Sequence, residues 1–178
     1  MKAHFAAALI FSAMAWQRIC EAKGTGIAGQ KCLQNHLPGK MLKELFEMSL
    51  NLKYSVPRDN IKERKLLPKF GPSLKRPNPH GIPILKEILD FYLKDVLKKV
   101  EVVDLKADNL VIYLTRLDKD LGHCLRLHPS ICSSRERKLM NKMKKRYKEM
   151  ADQGVYKAIG ELETVIDWIN TYMHAGKE

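Results

Sequence analysis

The sequence predicts an all-α domain, a bundle of about six helices. Apolar residues return at spacings of three and four in one stretch after another. No segment keeps the period-two alternation with turn signals that a sheet demands. Five of the eight prolines are gathered between Pro68 and Pro83, where they mark a connector and not an element.

The chain opens MKAHFAAALIFSAMAW, with a basic start at Lys2 and an apolar run from Phe5 to Trp16. That is the pattern of a secretory signal peptide, and the run is too short to span a membrane. Cleavage after Ala22, with Cys20 and Ala22 at the small-residue positions, makes residues 1–22 the signal and 23–178 a single domain. The Ala13-Met14-Ala15 triplet offers a second cleavage point. No other segment approaches the roughly 20 apolar residues needed to cross a bilayer. A secreted, extracellular, soluble mature chain without a membrane span is expected.

Lys23 to Gln30 reads as a small-residue arm. Leu37, Met41, Leu45, Met48 and Leu52 then form a helical stripe with Pro38 suited to its first turn. Pro57 opens a shorter helical piece, DNIKERKLL, that stops before Pro68. Beyond the connector, Pro83 starts ILKEILDFYLKDVLKKV, whose apolar face is Leu85, Ile88, Leu89, Tyr92 and Val96. A fourth helix runs from about Lys106 through Leu110, Leu114, Leu117 and Leu121 to a stop near Gly122. The fifth has Ser133 as N-cap and Glu136 three residues on, a capping box, with Gly154 as its brake. The last carries Val155, Ile159, Leu162, Ile166, Ile169 and Met173, a coiled-coil-like seam.

The formal net charge of +12 falls by one, to +11, when Lys2, Arg18 and Glu21 leave with the signal. Such a charge favours anionic company: glycosaminoglycan, nucleic acid, acidic lipid or an acidic protein face. Much of it sits in CSSRERKLMNKMKKRYKEMADQG. On a helical wheel, Met140, Met143, Tyr147 and Met150 form the inward seam, while Arg137, Lys138, Lys144, Lys145 and Lys148 share an outward arc. A lysine-rich helix face is by default merely solvated. This arc lacks acidic partners at most i to i+4 positions, in a chain that is basic overall, so it is the candidate polyanion-binding surface. Its one aromatic, Tyr147, is on the core side, so DNA binding there would be phosphate-driven and sequence-blind.

Chemistry is not legible. His123, Cys124, His128 and Cys132 form H-C-x3-H-x3-C, which is not a usual zinc spacing, and an oxidising compartment favours disulfides over thiolate ligands. The expectation is no metal, no cofactor, no catalytic residue and no enzyme; nucleophile elbow, P-loop and H-E-x-x-H motifs are lacking. Loss of Cys20 with the signal leaves Cys32, Cys124 and Cys132, one bridge and one spare thiol. Cleavage after Ala15 would leave four cysteines and room for two bridges.

A more specific pattern lies near the C-terminus. DQGVYKAIGELETVIDWI resembles the start of the final helix in the interleukin-10 family of class II helical cytokines, a match carried by Gly154, Tyr156, Lys157, Ala158 and Glu161. SVPRDNIKERKLLPKF, FYLKDV and the HC pair before CSSRERKLMNKMKKRYKEM are similar to segments of one strongly basic member, in that order. The resemblance implies a six-helix cytokine bundle that bridges two receptor chains and triggers JAK and STAT signalling. For the member most alike, those chains are the interleukin-20 receptor alpha chain and the interleukin-10 receptor beta chain. The family's higher-affinity receptor surface, formed by the first helix, the following loop and the last helix, maps to Asp59, Lys62, Arg64, Lys157 and Glu161. The same resemblance implies glycosaminoglycan and DNA binding, for which the outward arc is the expected place.

It also implies that Cys32 pairs with Cys124. The family commonly has a second bridge, but where its cysteine is expected this chain reads NPHGIPIL. Cys132 is then free, pairs with Cys20 or joins two chains. Whether the chain stands alone or forms a homodimer by exchanging its last two helices rests on the connector from Gly122 to Ser133. A reading from another class also stands: a secreted cationic protein acting on microbes or nucleic acid without a receptor.

Overall fold

The computed structural model describes residues 26–61, 63–100 and 105–176, and they fold as an all-α bundle. Helix α1 spans 26–36. It is followed by α2 (Gly39–Ser55), the single turn α3 (Gly71–Leu74), α4 (Gly81–Phe91), α5 (Leu105–Leu127), α6 (Ser134–Glu149) and α7 (Asp152–His174). No strand occurs among the described residues. The signal-peptide reading, including Cys20, lies outside them.

Helix α7 is the hub, packing against α2, α3, α4 and α6, while α5 closes the other side against α2 and α4. Its buried residues, from Val155 through Ile159, Leu162, Ile166 and Ile169 to Met173, include the expected seam. The addition of Ala158, Val165 and Tyr172 widens that seam into a face that meets several partners at once.

Four boundaries differ from the sequence reading. The small-residue arm is helical from Gly26, because its buried positions, Gly26, Gly29, Gln30, Leu33 and Leu37, keep helical spacing without being hydrophobes at the start. A side chain at Gly26 would put its Cβ 2.6 Å from the Asn78 backbone, so the glycine marks a close approach. Gln30 is buried and donates to the carbonyls of Tyr172 (2.8 Å) and Ala175 (2.8 Å), and Gln34 donates to Met173. These are among the last carbonyls of α7, where helical N–H donors run out, although the Tyr172 carbonyl also takes the Ala175 N–H at 3.4 Å.

The described residues of the piece DNIKERKLL are not helical. Side chains of α7 take its backbone groups instead: Glu161 accepts from the N–H of Leu66 (3.0 Å) and Leu67 (2.7 Å), and Lys157 donates to the carbonyl of Ile61 (2.8 Å). Gln153 accepts from the N–H of Asn60 at 3.0 Å. The segment is a strap laid across the last helix.

Helix α5 does not stop at Gly122 but runs on to Leu127, because Cys124 continues the buried stripe of Leu110, Leu114, Leu117 and Leu121. Its bridge to Cys32 fixes that extra turn, and Pro129 follows. The connector to α6 therefore shortens to His128–Ser133, and α6 and α7 pack on helices of their own chain.

The capping box of α6 is as expected: Ser133 accepts from the Glu136 N–H at 3.3 Å, and Glu136 accepts from the Ser133 N–H at 2.7 Å. Gly154, however, does not end this helix. It lies in the first turn of α7, where a Cβ would sit 2.6 Å from the Tyr147 carbonyl oxygen, so its role is close helix approach. The reversal falls on Ala151, at φ 47° and ψ −129°. A residue with a Cβ held there stores strain of about 1–3 kcal/mol. Ala151→Gly is expected to stabilise the fold by about 1 kcal/mol after the entropy of the freer unfolded chain is subtracted. Thermal unfolding should show the midpoint rising by roughly 2–4 °C.

Candidate functional site

Two surfaces carry the residues singled out in the sequence. The first is the strap and the α7 face beneath it. Asp59, Lys157 and Glu161 come together there: Lys157 Nζ lies 3.3 Å from Asp59 Oδ1, with their side chains 12% and 22% exposed. Glu161 spends both oxygens on the strap's N–H groups. These three hold the loop in place and offer little charge to a partner. Lys53 at the end of α2 meets Glu163 at 2.7 Å, locking the strap's entry to the same helix. Arg64 is exposed on the strap, and Lys62 lies outside the described residues.

Side chains not singled out from the sequence complete this face. Tyr54 is 76% exposed at the end of α2. Two clefts flank the ridge of Lys65, Leu67, Pro68 and Lys69. One of 1090 Å³ lies toward α6, with Arg64, Lys142 and Arg146 on its wall. The other, of 930 Å³, lies toward α7, with Lys75, Arg76 and Trp168. Trp168 is half-buried and stacks edge-to-face on Phe70 at 5.7 Å. Only the fold brings these basic residues together, since they come from three separate stretches of chain.

The second surface is α6. Met140, Met143, Tyr147 and Met150 are buried, as the wheel predicts. Arg137, Lys138, Lys145 and Lys148 are exposed, and Lys144 is half-buried. Lys145 has Glu149 at 3.8 Å, both well exposed, a pair of little energetic weight. Arg137, Lys138, Lys144 and Lys148 have no carboxylate partner among the described residues. Arg146, outside the arc, donates to the Lys65 carbonyl at 3.3 Å and with Lys142 belongs to the wall of the larger cleft.

Under α6, Glu136 is buried and accepts from Ser73 Oγ at 3.1 Å, which fastens α3 to the start of α6. Burial would raise its pKa, but the hydrogen bonds from Ser133 and Ser73 outweigh that and hold the carboxyl below its ordinary value. Cys132 is buried and unpaired among the described residues. Burial first, then the charges of Glu87 and Glu136, push its thiol up to about 11, which makes it a poor nucleophile. Cys124 is bonded to Cys32, so the H-C-x3-H-x3-C pattern has lost one of its four donors.

Comparison with known proteins follows the same lines. A family model described as Interleukin 10 matches residues 73–175. Interleukin-26 of Homo sapiens is 28% identical over 126 residues, covering 71% of this chain and 70% of its own length. Interleukin-10 of Trichosurus vulpecula is 32% identical over 154 residues, covering 83% of this chain and 85% of its own. Interleukin-10 of Canis lupus familiaris is 32% identical over 96 residues, or 52% of this chain and 53% of its own.

The strap gives a direct test of how the α7 face is built. Glu161→Gln is expected to cost about 1.5–3 kcal/mol, the weight of hydrogen bonds to a charged acceptor. Limited trypsin digestion read by mass spectrometry should then cut faster within residues 58–69, while circular dichroism shows the helices retained.

Proposed function

The chain belongs to the interleukin-10 family, and from that membership we propose that it is a secreted class II cytokine that bridges two receptor chains and activates JAK and STAT signalling. Members of this family are signalling proteins and not enzymes, in keeping with the expectation that this chain carries no catalytic residue. The observation that carries the reading is the family match over residues 73–175, on a chain whose last helix is the hub of the bundle. Likeness to interleukin-26 favours the interleukin-20 receptor alpha chain and the interleukin-10 receptor beta chain as the pair. The alternative within the family is a cytokine with interleukin-10-like or interleukin-22-like receptor use.

The higher-affinity receptor contact is assigned to the strap face. Asp59, Lys157 and Glu161 shape it, Arg64 is the exposed charge it offers, and Lys62 is assigned to it from the sequence alone. Few residues of such an interface carry most of its energy, so a rigid strap matters as much as the charges on it. The all-helical architecture agrees with a helical receptor ligand.

A second activity rests on a separate observation: Arg137, Lys138, Lys144 and Lys148 are basic groups without acidic partners on one side of α6. Together with Lys145 they form the proposed polyanion surface, for glycosaminoglycan or DNA, through charge. Such binding weakens steeply with salt because it is driven by counterion release.

Two experiments decide these readings. STAT tyrosine phosphorylation by the refolded mature chain is expected only in cells that carry both receptor chains. A response that ignores the receptors and vanishes with salt would favour a directly acting cationic protein. For the polyanion surface, neutralising Arg137, Lys138, Lys144, Lys145 and Lys148 together should lower the salt needed to elute the protein from heparin. Elution at unchanged salt would move the site elsewhere.

A further inference from the structure

The larger of the two clefts takes cations from two separate elements. On the α6 side Lys142 and Arg146 stand one turn apart and so share a face, while the strap contributes Arg64, Lys65 and Lys69. None of these five is in an ion pair among the described residues. Glu63 and Glu149 are the acids of the lining, and Glu149 already faces Lys145 at 3.8 Å. Cations on two sides of a cleft concentrate a positive field between them, as a convex helix face does not.

The floor and the walls narrow the choice of anion. Leu67, Pro68, Leu139 and Met150 make an aliphatic floor. No aromatic ring belongs to the lining, so the stacking platform that single-stranded nucleic acid uses is lacking here. A duplex is a rod and meets the outward arc of α6 more readily than a cleft. A sugar ring suits this floor better, since its C–H face meets aliphatic side chains while sulfates on its rim reach the cations. The volume of 1090 Å³ is just above the range of about 300–1,000 Å³ usual for small-ligand sites, which admits a short single chain. The walls are also held in place. Glu161 fixes the strap through the N–H groups of Leu66 and Leu67, between Lys65 and Lys69, and Arg146 ties α6 to the Lys65 carbonyl. Walls ordered beforehand lose less entropy when a ligand arrives.

We infer that this cleft is the recognition site for a short sulfated oligosaccharide of the glycosaminoglycan class, its sulfates held by Lys65, Lys69, Lys142 and Arg146. The inference rests on the polyanion reading and narrows it. The outward arc of α6 attracts long anionic chains, and the cleft selects the sulfated sugar among them.

The test titrates the mature chain with a heparin-derived tetrasaccharide by calorimetry, beside two variants that lose equal positive charge. Lys65→Gln, Lys69→Gln and Lys142→Gln strip the cleft; Arg137→Gln, Lys138→Gln and Lys148→Gln strip the arc. Arg64 is kept in both because the proposed receptor contact uses it. Stripping the cleft is expected to weaken tetrasaccharide binding about tenfold or more, the scale of losing hydrogen bonds to charged groups. Stripping the arc should leave that affinity nearly unchanged and mainly lower the salt that elutes the chain from long-chain heparin. Glu161→Gln sharpens the comparison. It removes a negative charge, so charge alone predicts tighter binding, whereas a loosened strap predicts weaker binding; weaker binding is expected, with the helices retained by circular dichroism. The inference is overturned if the two triple variants lose affinity equally, if Glu161→Gln binds more tightly, or if a single-stranded oligonucleotide of matched charge binds as well as the tetrasaccharide. It is overturned too if the tetrasaccharide fails to bind a chain that long-chain heparin retains. A chain that heparin does not retain at all is a different result, which removes the polyanion reading itself and the cleft with it.

Discussion

The burial of α7 on several sides at once is the constraint from which the rest of this structure follows. A helix surrounded by neighbours needs partners for its end groups as well as its side chains. The first helix supplies them, with Gln30 and Gln34 donating to the carbonyls of Tyr172, Met173 and Ala175. Tyr172 shares the arrangement, its hydroxyl directed at the carbonyls of Gly26 and Asn78 at 3.3 and 3.4 Å. The bare face of Gly81 makes room for its ring, since a Cβ there would stand 2.1 Å from a ring carbon. The Cys32–Cys124 bridge then holds α1 against α5 across 92 residues of sequence. In a chain-entropy account such a closure contributes about 4–5 kcal/mol.

The same constraint explains the family pattern at the start of α7. Gly154 allows α6 and α7 to approach, Ala158 offers its carbonyl to Tyr92 Oη at 2.8 Å, and Lys157 and Glu161 tie down the strap. Tyr92 is fully buried among these groups, and burial, then the Glu161 charge, raises its pKa well above the ordinary value. The hydroxyl therefore stays protonated and donates. Around it α4 loosens into a π-helical turn at Tyr92–Val96, and Tyr147 donates to the Asp95 carbonyl at 2.7 Å. Four of the five residues that identify the family thus act on packing and on loop position. A partner would meet their consequence, a strap held still, more than their own charges.

How much of this was legible depended on whether neighbours in sequence or neighbours in space decided the outcome. The stripes of α2, α4 and α7, the inward methionines of α6 and the Ser133 to Glu136 capping box are local, and they were readable. The start of α1 was not, because its buried face is glycine and glutamine whose reasons for burial lie in distant segments, at Asn78 and Ile82 for the glycines and at Tyr172 for Gln30. DNIKERKLL has a plausible helical composition, yet Glu161 and Lys157 on α7 bind backbone groups that a helix would have paired within itself. Gly122 and Gly154 misled for the opposite reason: a glycine reads as a stop, while here one is simply spanned and the other is a contact. Of the candidate site, the arc on α6 was visible on a wheel. The clefts beside Lys65 and Lys69 were not, since their walls come from separate segments.

Charge is sorted by the same packing. Glu136 is buried on serine hydrogen bonds, Glu161 is spent on the strap, Glu163 faces Lys53, and Asp59 faces Lys157. Asp90 and Asp118 bracket Lys86 at 2.9 and 2.8 Å, joining α4 to α5; burial opposes charge on that lysine, but the two carboxylates win and raise its pKa. These six carboxylates are drawn into structural bonds with a donor each, whereas Glu44, Glu47 and Glu149 stay in exposed pairs. The lysines and arginines of α6 and the strap are left outward with few counter-charges. The field a partner meets on that side is therefore more positive than a formal +12 spread evenly over the surface would give. The acids taken into the packing of α7 and α4 are withdrawn from the α6 side, so packing sharpens a charge excess of 32 basic over 20 acidic residues into a local one.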